Sequence, residues 1–308
     1  MSRASVIGML VAAEALIVGV ALYAIGHGRP TFAAGMHHAD FTAKTFAPVA
    51  AGNAPHVVID DTDSRVTVGV SNDELVHVRD LTQIRGAVFS NASYPPLRVE
   101  RTSDGVRIER AHTERIAFEI FGFRTQAIEV EVPAGARLEI ARCAGAGISG
   151  VTGGVSVHST DGHVTLSDLQ GTVDASSDNG YLSASNVRGD RLAMETNDGH
   201  LAFDNVAVAS LQASTHDGRV VADGLSVSGD GTIQTGDGSI RVRLAPNSNL
   251  TVDASTHDGQ ISVDGNANDS DDSAQRTIHL GAGGGHMKLA TGDGSIHILT
   301  NGALQNNG

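Results

Sequence analysis

One four-residue signature, Ser or Thr, any residue, Asp or Asn, then Gly, recurs down the second half of the chain as "STDG", "SDNG", "TNDG", "THDG", "TGDG", "THDG" and "TGDG". Its glycines are Gly162, Gly180, Gly199, Gly218, Gly238, Gly259 and Gly294, spaced 18, 19, 19, 20, 21 and 35 residues apart. Self-similarity at a period near 20 residues means that each copy is one small unit of a stacked array. The last gap is nearly two periods long and contains an acidic stretch, "NANDSDDS".

Two residues after each glycine stand Val164, Leu182, Leu201, Val220, Ile240, Ile261 and Ile296; four after it stand Leu166, Ala184, Phe203, Ala222, Val242, Val263 and Ile298. The position before the first set is His163, Tyr181, His200, Arg219, Ser239, Gln260 or Ser295. This period-two alternation marks a half-buried strand opening every repeat. Leu169, Val187, Val206 and Leu225, seven residues after the first four glycines, plug the next corner, and a second strand follows with Val173, Leu192, Leu211 and Ile233.

Such a repeat does not fold alone. About five inward side chains at roughly 1.5–3 kcal/mol each fall short of a backbone entropy cost of about 1–2 kcal/mol for each of some 20 residues. Stacking with ladder hydrogen bonds supplies the remainder, so the expected fold is all-β: a parallel β-helix, or β-solenoid, with rungs of about 19–21 residues. Right-handed coiling is expected from the strong handedness of parallel crossovers.

The N-terminus has another character. "SVIGMLVAAEALIVGVALYAIG", residues 5–26, is apolar apart from Glu14 and follows Arg3. A membrane-spanning helix needs about 20 residues, whereas the apolar core of a cleaved signal peptide runs to about 7–15. An uncleaved transmembrane helix is therefore favoured over a signal peptide cut near "YAIG" or "TFAA". Arg3 places residues 1–4 in the cytoplasm and exports the rest. The expected order is a linker over 27–54, a solenoid over 55–298 with an acidic loop insert at 266–275, and a tail over 299–308.

Upstream segments look like irregular copies of the rung. "VVIDDTDSRVTVGV" and "LRVERTSDGVRIER" read as opening strands, and "QAIEVEVPAGARLEIARCAG" alternates through Ile128, Val130 and Val132 before a Pro-Gly turn. "AHTERIAFEIFGFRT" holds three Phe and reads as a hairpin or a cap over the first rung. "HVVIDDTDSRVTVGV", "EVEVPAGARLEI" and the "TxDGxVxL"-like rungs together resemble the bacterial "putative adhesin" family, a domain of unknown function, over roughly residues 55–300. The resemblance implies a single-stranded β-helix behind a signal or membrane anchor and brings no catalytic residues.

Composition excludes some functions. The formal net charge is −14 with 21 Lys and Arg, which argues against a nucleic-acid partner, since phosphate contacts need clustered cations. Cys143 is the lone cysteine, so no intramolecular disulfide is possible. There is no Trp and there are 3 Tyr, which weakens sugar binding, since it leans on aromatic platforms, and with it a sugar-degrading site.

Two chemical readings attach to the signature. Asp161, Asp198, Asp217, Asp237, Asp258 and Asp293, with Asn179 in the same column, have the oxygens for a calcium ladder. The spacing differs from the Gly-Gly-x-Gly-x-Asp calcium repeat, so the favoured reading is a turn, with Asp capping it and Gly supplying positive φ. His216 and His257, each in a "THDG", are expected two rungs, or about 10 Å, apart, too far to share zinc without a third ligand. His37 and His38 in the linker are no more than adventitious ligands.

No cofactor, metal or catalytic residue is expected. The reading is a non-catalytic, envelope-anchored solenoid for adhesion, scaffolding or sensing, with a membrane contact through its first helix and an envelope protein or surface glycan as partner. One alternative is a carbohydrate-active enzyme, whose site would lie where the repeat breaks, at 116–123 or 266–275. Another is a regulatory partner in an envelope-stress system, acting through the helix that carries Glu14.

Overall fold

The structure is a computed structural model that describes residues 43–90, 95–111, 117–267 and 274–300. The expected membrane helix at 5–26 and most of the linker lie outside the described residues, as do 268–273 of the acidic stretch and the tail from 301.

All regular structure among the described residues is β. The repeats stack as expected, each contributing one short and one long strand. Val164–Ser167, Leu182–Ser185, Leu201–Asp204, Val220–Val227 and Ile240–Leu244 pair in parallel, at offsets of 18, 19, 19 and 20 residues. Val155–Ser159, Gln170–Asn179, Arg188–Asp198, Ala207–Asp217 and Asp230–Asp237 form the second, long-strand ladder. Side chains alternate across each strand: the two sets of apolar residues that follow the glycines are buried, and Leu169, Val187, Val206 and Leu225 are 0 % exposed at the following corner.

Ile233 departs from the expected column. Gly231, not Ile233, pairs with Leu211, and Ile233 stands with Ala175, Met194 and Ala213. The space in front of Gly231 is taken by Met287 of the neighbouring rung, whose Cγ would lie 3.5 Å from an added Cβ.

Neither end of the stack follows chain order. At the C-terminal end the long-strand ladder runs Asp230–Asp237, Gly285–Asp293, Leu250–Asp258, Ala274–Leu280, the last strand antiparallel. The short-strand ladder runs Ile240–Leu244, Ile296–Leu299, Ile261–Val263, Asn266–Ala267, again ending antiparallel. Both ends of the acidic insert are thus part of the sheet: Asn266–Ala267 and Ala274–Leu280 cover the outermost rung. At the N-terminal end Ala127–Val132 lies between Leu75–Asp80 and Arg65–Val70, and Leu97–Arg101 runs antiparallel on Gly105–Arg110. Lys44–Thr45 and Val49–Ala50, inside the stretch read as linker, pair with Leu75–Asp80. Antiparallel outer strands end both ladders, where a bare parallel edge would invite further pairing.

The N-terminal end holds a buried ion cluster. Arg110 donates from Nε to Asp61 (2.7 Å) and from Nη2 to Asp80 (3.0 Å), with Arg110 and Asp61 side chains 4 % and 3 % exposed. Ser64 donates a further bond to Asp61 at 2.7 Å, so the carboxylate is multiply satisfied.

Among the described residues, 84–90 and 117–124 belong to a separate compact unit. There the Phe-rich segment is one strand, Ala117–Thr125, pairing with Gln83–Ser90 in a two-stranded sheet. It does not fold into a hairpin on itself: the strand runs unbroken through Gly122, and its partner comes from earlier in the chain.

Candidate functional site

The signature corner is built by close approach. Gly162, Gly180, Gly199, Gly218 and Gly238 do not have the positive φ expected of them, whereas Gly259 (φ 159) and Gly294 (φ 158) do, close to the extended limit. An added Cβ would instead fall within 3.0 Å of a carbonyl oxygen one rung away: that of Gly180 for Gly199, of Gly199 for Gly218, of Gly238 for Gly294 and of Gly294 for Gly259. Only glycine lets successive backbones meet there. The Ser or Thr three residues earlier is buried and ties the same carbonyl: Thr215 donates to Gly199 (3.1 Å), Thr235 to Gly218 (3.1 Å), Thr291 to Gly238 (2.9 Å) and Thr256 to Gly294 (3.0 Å).

Left-handed backbone occurs at the other corner, at Asp168 (φ 55), Asn186 (φ 53) and Asn205 (φ 52), with Gly224 (φ 65) next in line. Asn205 donates to Asn186 at 2.7 Å and Asn186 to Asp168 at 3.0 Å. These residues stand six after each glycine, and Asn, Asp and Gly are the types that tolerate this conformation. The sequence carries the column as Asp, Asn, Asn and Gly at that fixed offset.

The Asp column lies exposed along the stack in the order Asn179, Asp198, Asp217, Asp237, Asp293, Asp258, with Asp161 accepting from Asn179 Nδ2 at 3.1 Å. Among the described residues no group of three or more His, Cys, Asp or Glu converges as a metal site. His216 and His257 are three rungs apart, since Gly236 and Gly292 both intervene. At the strand spacing that is about 14 Å, more than the two rungs expected, because the rung of Gly285–Asp293 fills the gap.

Among the described residues, a concave feature lies on the outer face of the long-strand ladder. Two adjoining hollows of about 220 and 340 Å³ share His158, Ser176, Glu195 and Ser214. These four, with Gln234, form one row four residues before each glycine, and Asp174, Ala193 and Gln212 form the row beside it. Short Ser and Ala side chains between longer ones make the depression. His158 Nδ1 and Ser176 Oγ are 2.9 Å apart, and Arg191 bridges Asp174 and Gln212 at 3.3 Å each. His216 closes one side.

A His–Ser contact invites comparison with an activated nucleophile, which needs an oriented base and oxyanion donors. Ser176 and His158 lie inside strands paired in the parallel ladder, so the neighbouring N–H groups are turned along the sheet. The arrangement presents hydroxyl, amide, imidazole and carboxylate groups at a regular interval, which suits binding. Cys143 is buried, and desolvation pushes its thiol pKa up, leaving it unreactive.

No curated protein sequence matches the chain. Among solved structures, similarity is found to a "putative adhesin" from Bacteroides fragilis (11% identity, 84% of this chain and 97% of that one, TM-score 0.47) and to another from Parabacteroides merdae (11%, 85% and 97%, 0.43). A "putative lipid binding protein" from Parabacteroides distasonis is similar at 12% identity over 85% and 98% of the two chains, with a TM-score of 0.37. The model of one family matches residues 55–299, the whole of the stacked region, and by that match the chain belongs to the Toastrack family, DUF4097.

Proposed function

We propose that this chain is a non-catalytic binding module of the bacterial cell envelope. Its helix over 5–26 sits in the cytoplasmic membrane, and a right-handed solenoid outside presents the hollowed face of the long-strand ladder to an extended surface glycan. The carrying observation is the row His158, Ser176, Glu195, Ser214, Gln234, polar side chains of differing chemistry at one rung spacing, about 4.8 Å. Polar groups repeated at that interval favour a polymer whose own repeat is similar, and one sugar of an extended glycan is of that size. Asp174, Asp178 and Glu195 outweigh Arg191 in the lining, so a neutral polymer is favoured over an anionic one.

Affinity electrophoresis of the full chain through gels containing neutral or anionic polysaccharides tests the reading. Retardation by a neutral extended glycan, lost in Ser176→Arg and Ser214→Tyr, is expected. Retardation only by anionic polymers, or equal retardation of the variants, would refute it.

A further inference from the structure

The C-terminal strands make a cap that satisfies itself. Leu250–Asp258 has Ala274–Leu280 on one side and Gly285–Asp293 on the other, and Ile261–Val263 is flanked likewise by Asn266–Ala267 and Ile296–Leu299. Bonds inside the cap include His286 Nε2 with Asp253 (2.8 Å), Thr277 to Asp253 (2.6 Å) and Ser262 with His297 (2.7 Å). The cap meets the stack through its latest strands, Gly285–Asp293 on Asp230–Asp237 and Ile296–Leu299 on Ile240–Leu244. Thr291 pairs with Thr235 and Asp293 with Asp237, the register used between all the regular rungs. The cap therefore docks on a generic rung edge.

One strand of chain, residues 245–249, connects the two parts. It passes over the docked rung, a span of two strand spacings or about 10 Å, and contains Pro246 and the left-handed Asn247 (φ 62). Drawn out, five residues reach about 17 Å. Undocking would bare Ile240 and Val242 on the stack and Met287 and Ile296 on the cap, all 0 % exposed when closed. Neither edge is tolerable in water, and each is complementary to the other edge of any second copy.

We propose that two copies of this chain exchange their C-terminal caps, residues 250–299, each cap docking on the partner's Asp230–Asp237 and Ile240–Leu244 edge. The contacts of the closed form are all recovered, and only the 245–249 connections change, the condition under which exchanging an identical element is a low-cost route to a dimer. The proposal is independent of what the hollowed face binds.

Thr232 and Lys288 are register partners across the junction, on the outer face. Two differently tagged full chains, one Thr232→Cys and one Lys288→Cys, are mixed, warmed to allow cap release, cooled and oxidised. A disulfide joining the two tags is expected, growing with protein concentration and abolished when Gly294→Val, whose side chain would strike Gly238, is added to the Lys288→Cys chain. The double variant in a single chain reports that the bond can form. Closure within the double-variant chain, with no bond between the single variants, would overturn the proposal.

Discussion

Replacing Gly199 by Ala tests why the signature glycine is there. The added methyl meets the carbonyl oxygen of Gly180, backbone that has no freedom to retreat without parting the rungs. Parting them stretches the bond from Leu182 N to His200 O (3.0 Å) and the one from Thr196 to Gly180 (3.4 Å). Overpacking costs about 1–3 kcal/mol and each lost hydrogen bond about 1 kcal/mol, so about 3–5 kcal/mol is expected. For a chain of this size that lowers the melting temperature by about 6–20 °C. Gly147→Ala is the control, because nothing lies within 4 Å of its added Cβ; it is expected to leave stability unchanged or raise it by about 0.5–1 kcal/mol. Thermal unfolding followed by circular dichroism reads both. Gly199→Asn separates space from conformation: Asn accepts positive φ, so a melt for Asn well above that for Ala would refute the steric account.

Arg110→Met leaves Asp61 buried without its guanidinium partner, and a loss of about 3–5 kcal/mol in chemical denaturation is expected. Hydrogen bonds from Thr277 and then His286 hold Asp253 below the ordinary carboxylate value of 3.8; the stabilisation is therefore present above pH 3.8 and lost as pH falls through the lowered folded value. Asp253→Asn should flatten that part of an acid titration of stability, and an unchanged titration would contradict it. Millimolar calcium should leave the melting temperature within a degree, because the Asp column lies along a turn whose bonds are made by Thr hydroxyls and backbone; a rise of many degrees would restore the calcium ladder.

Strand positions and the buried columns were legible because alternation and period are local, and a residue such as Leu182 or Ile240 declares its side by its neighbours. The role of the glycine was not, since a Gly beside an Asp serves equally for a left-handed turn and for close backbone contact, and only the adjacent rung distinguishes them. Rung order was illegible for a related reason: the "THDG" at 256–259 and the "TGDG" at 291–294 fit the edge of Asp230–Asp237 equally well, so the sequence held no sign that the later one docks first. The row from His158 to Gln234 was open to view at a fixed offset from each glycine. It is composed of unlike residues, so no repeated residue type marks it in the sequence as the Asp and Gly columns are marked.

We propose the outer face of the long-strand ladder as the binding surface. Hydrogen–deuterium exchange of the full chain with and without a retarding neutral glycan tests it directly. Protection confined to the strands bearing His158, Ser176, Glu195 and Ser214 is the expected result; protection at the corner carrying Asp198, Asp217 and Asp237, or at the short-strand ladder with the long-strand face unchanged, would contradict it.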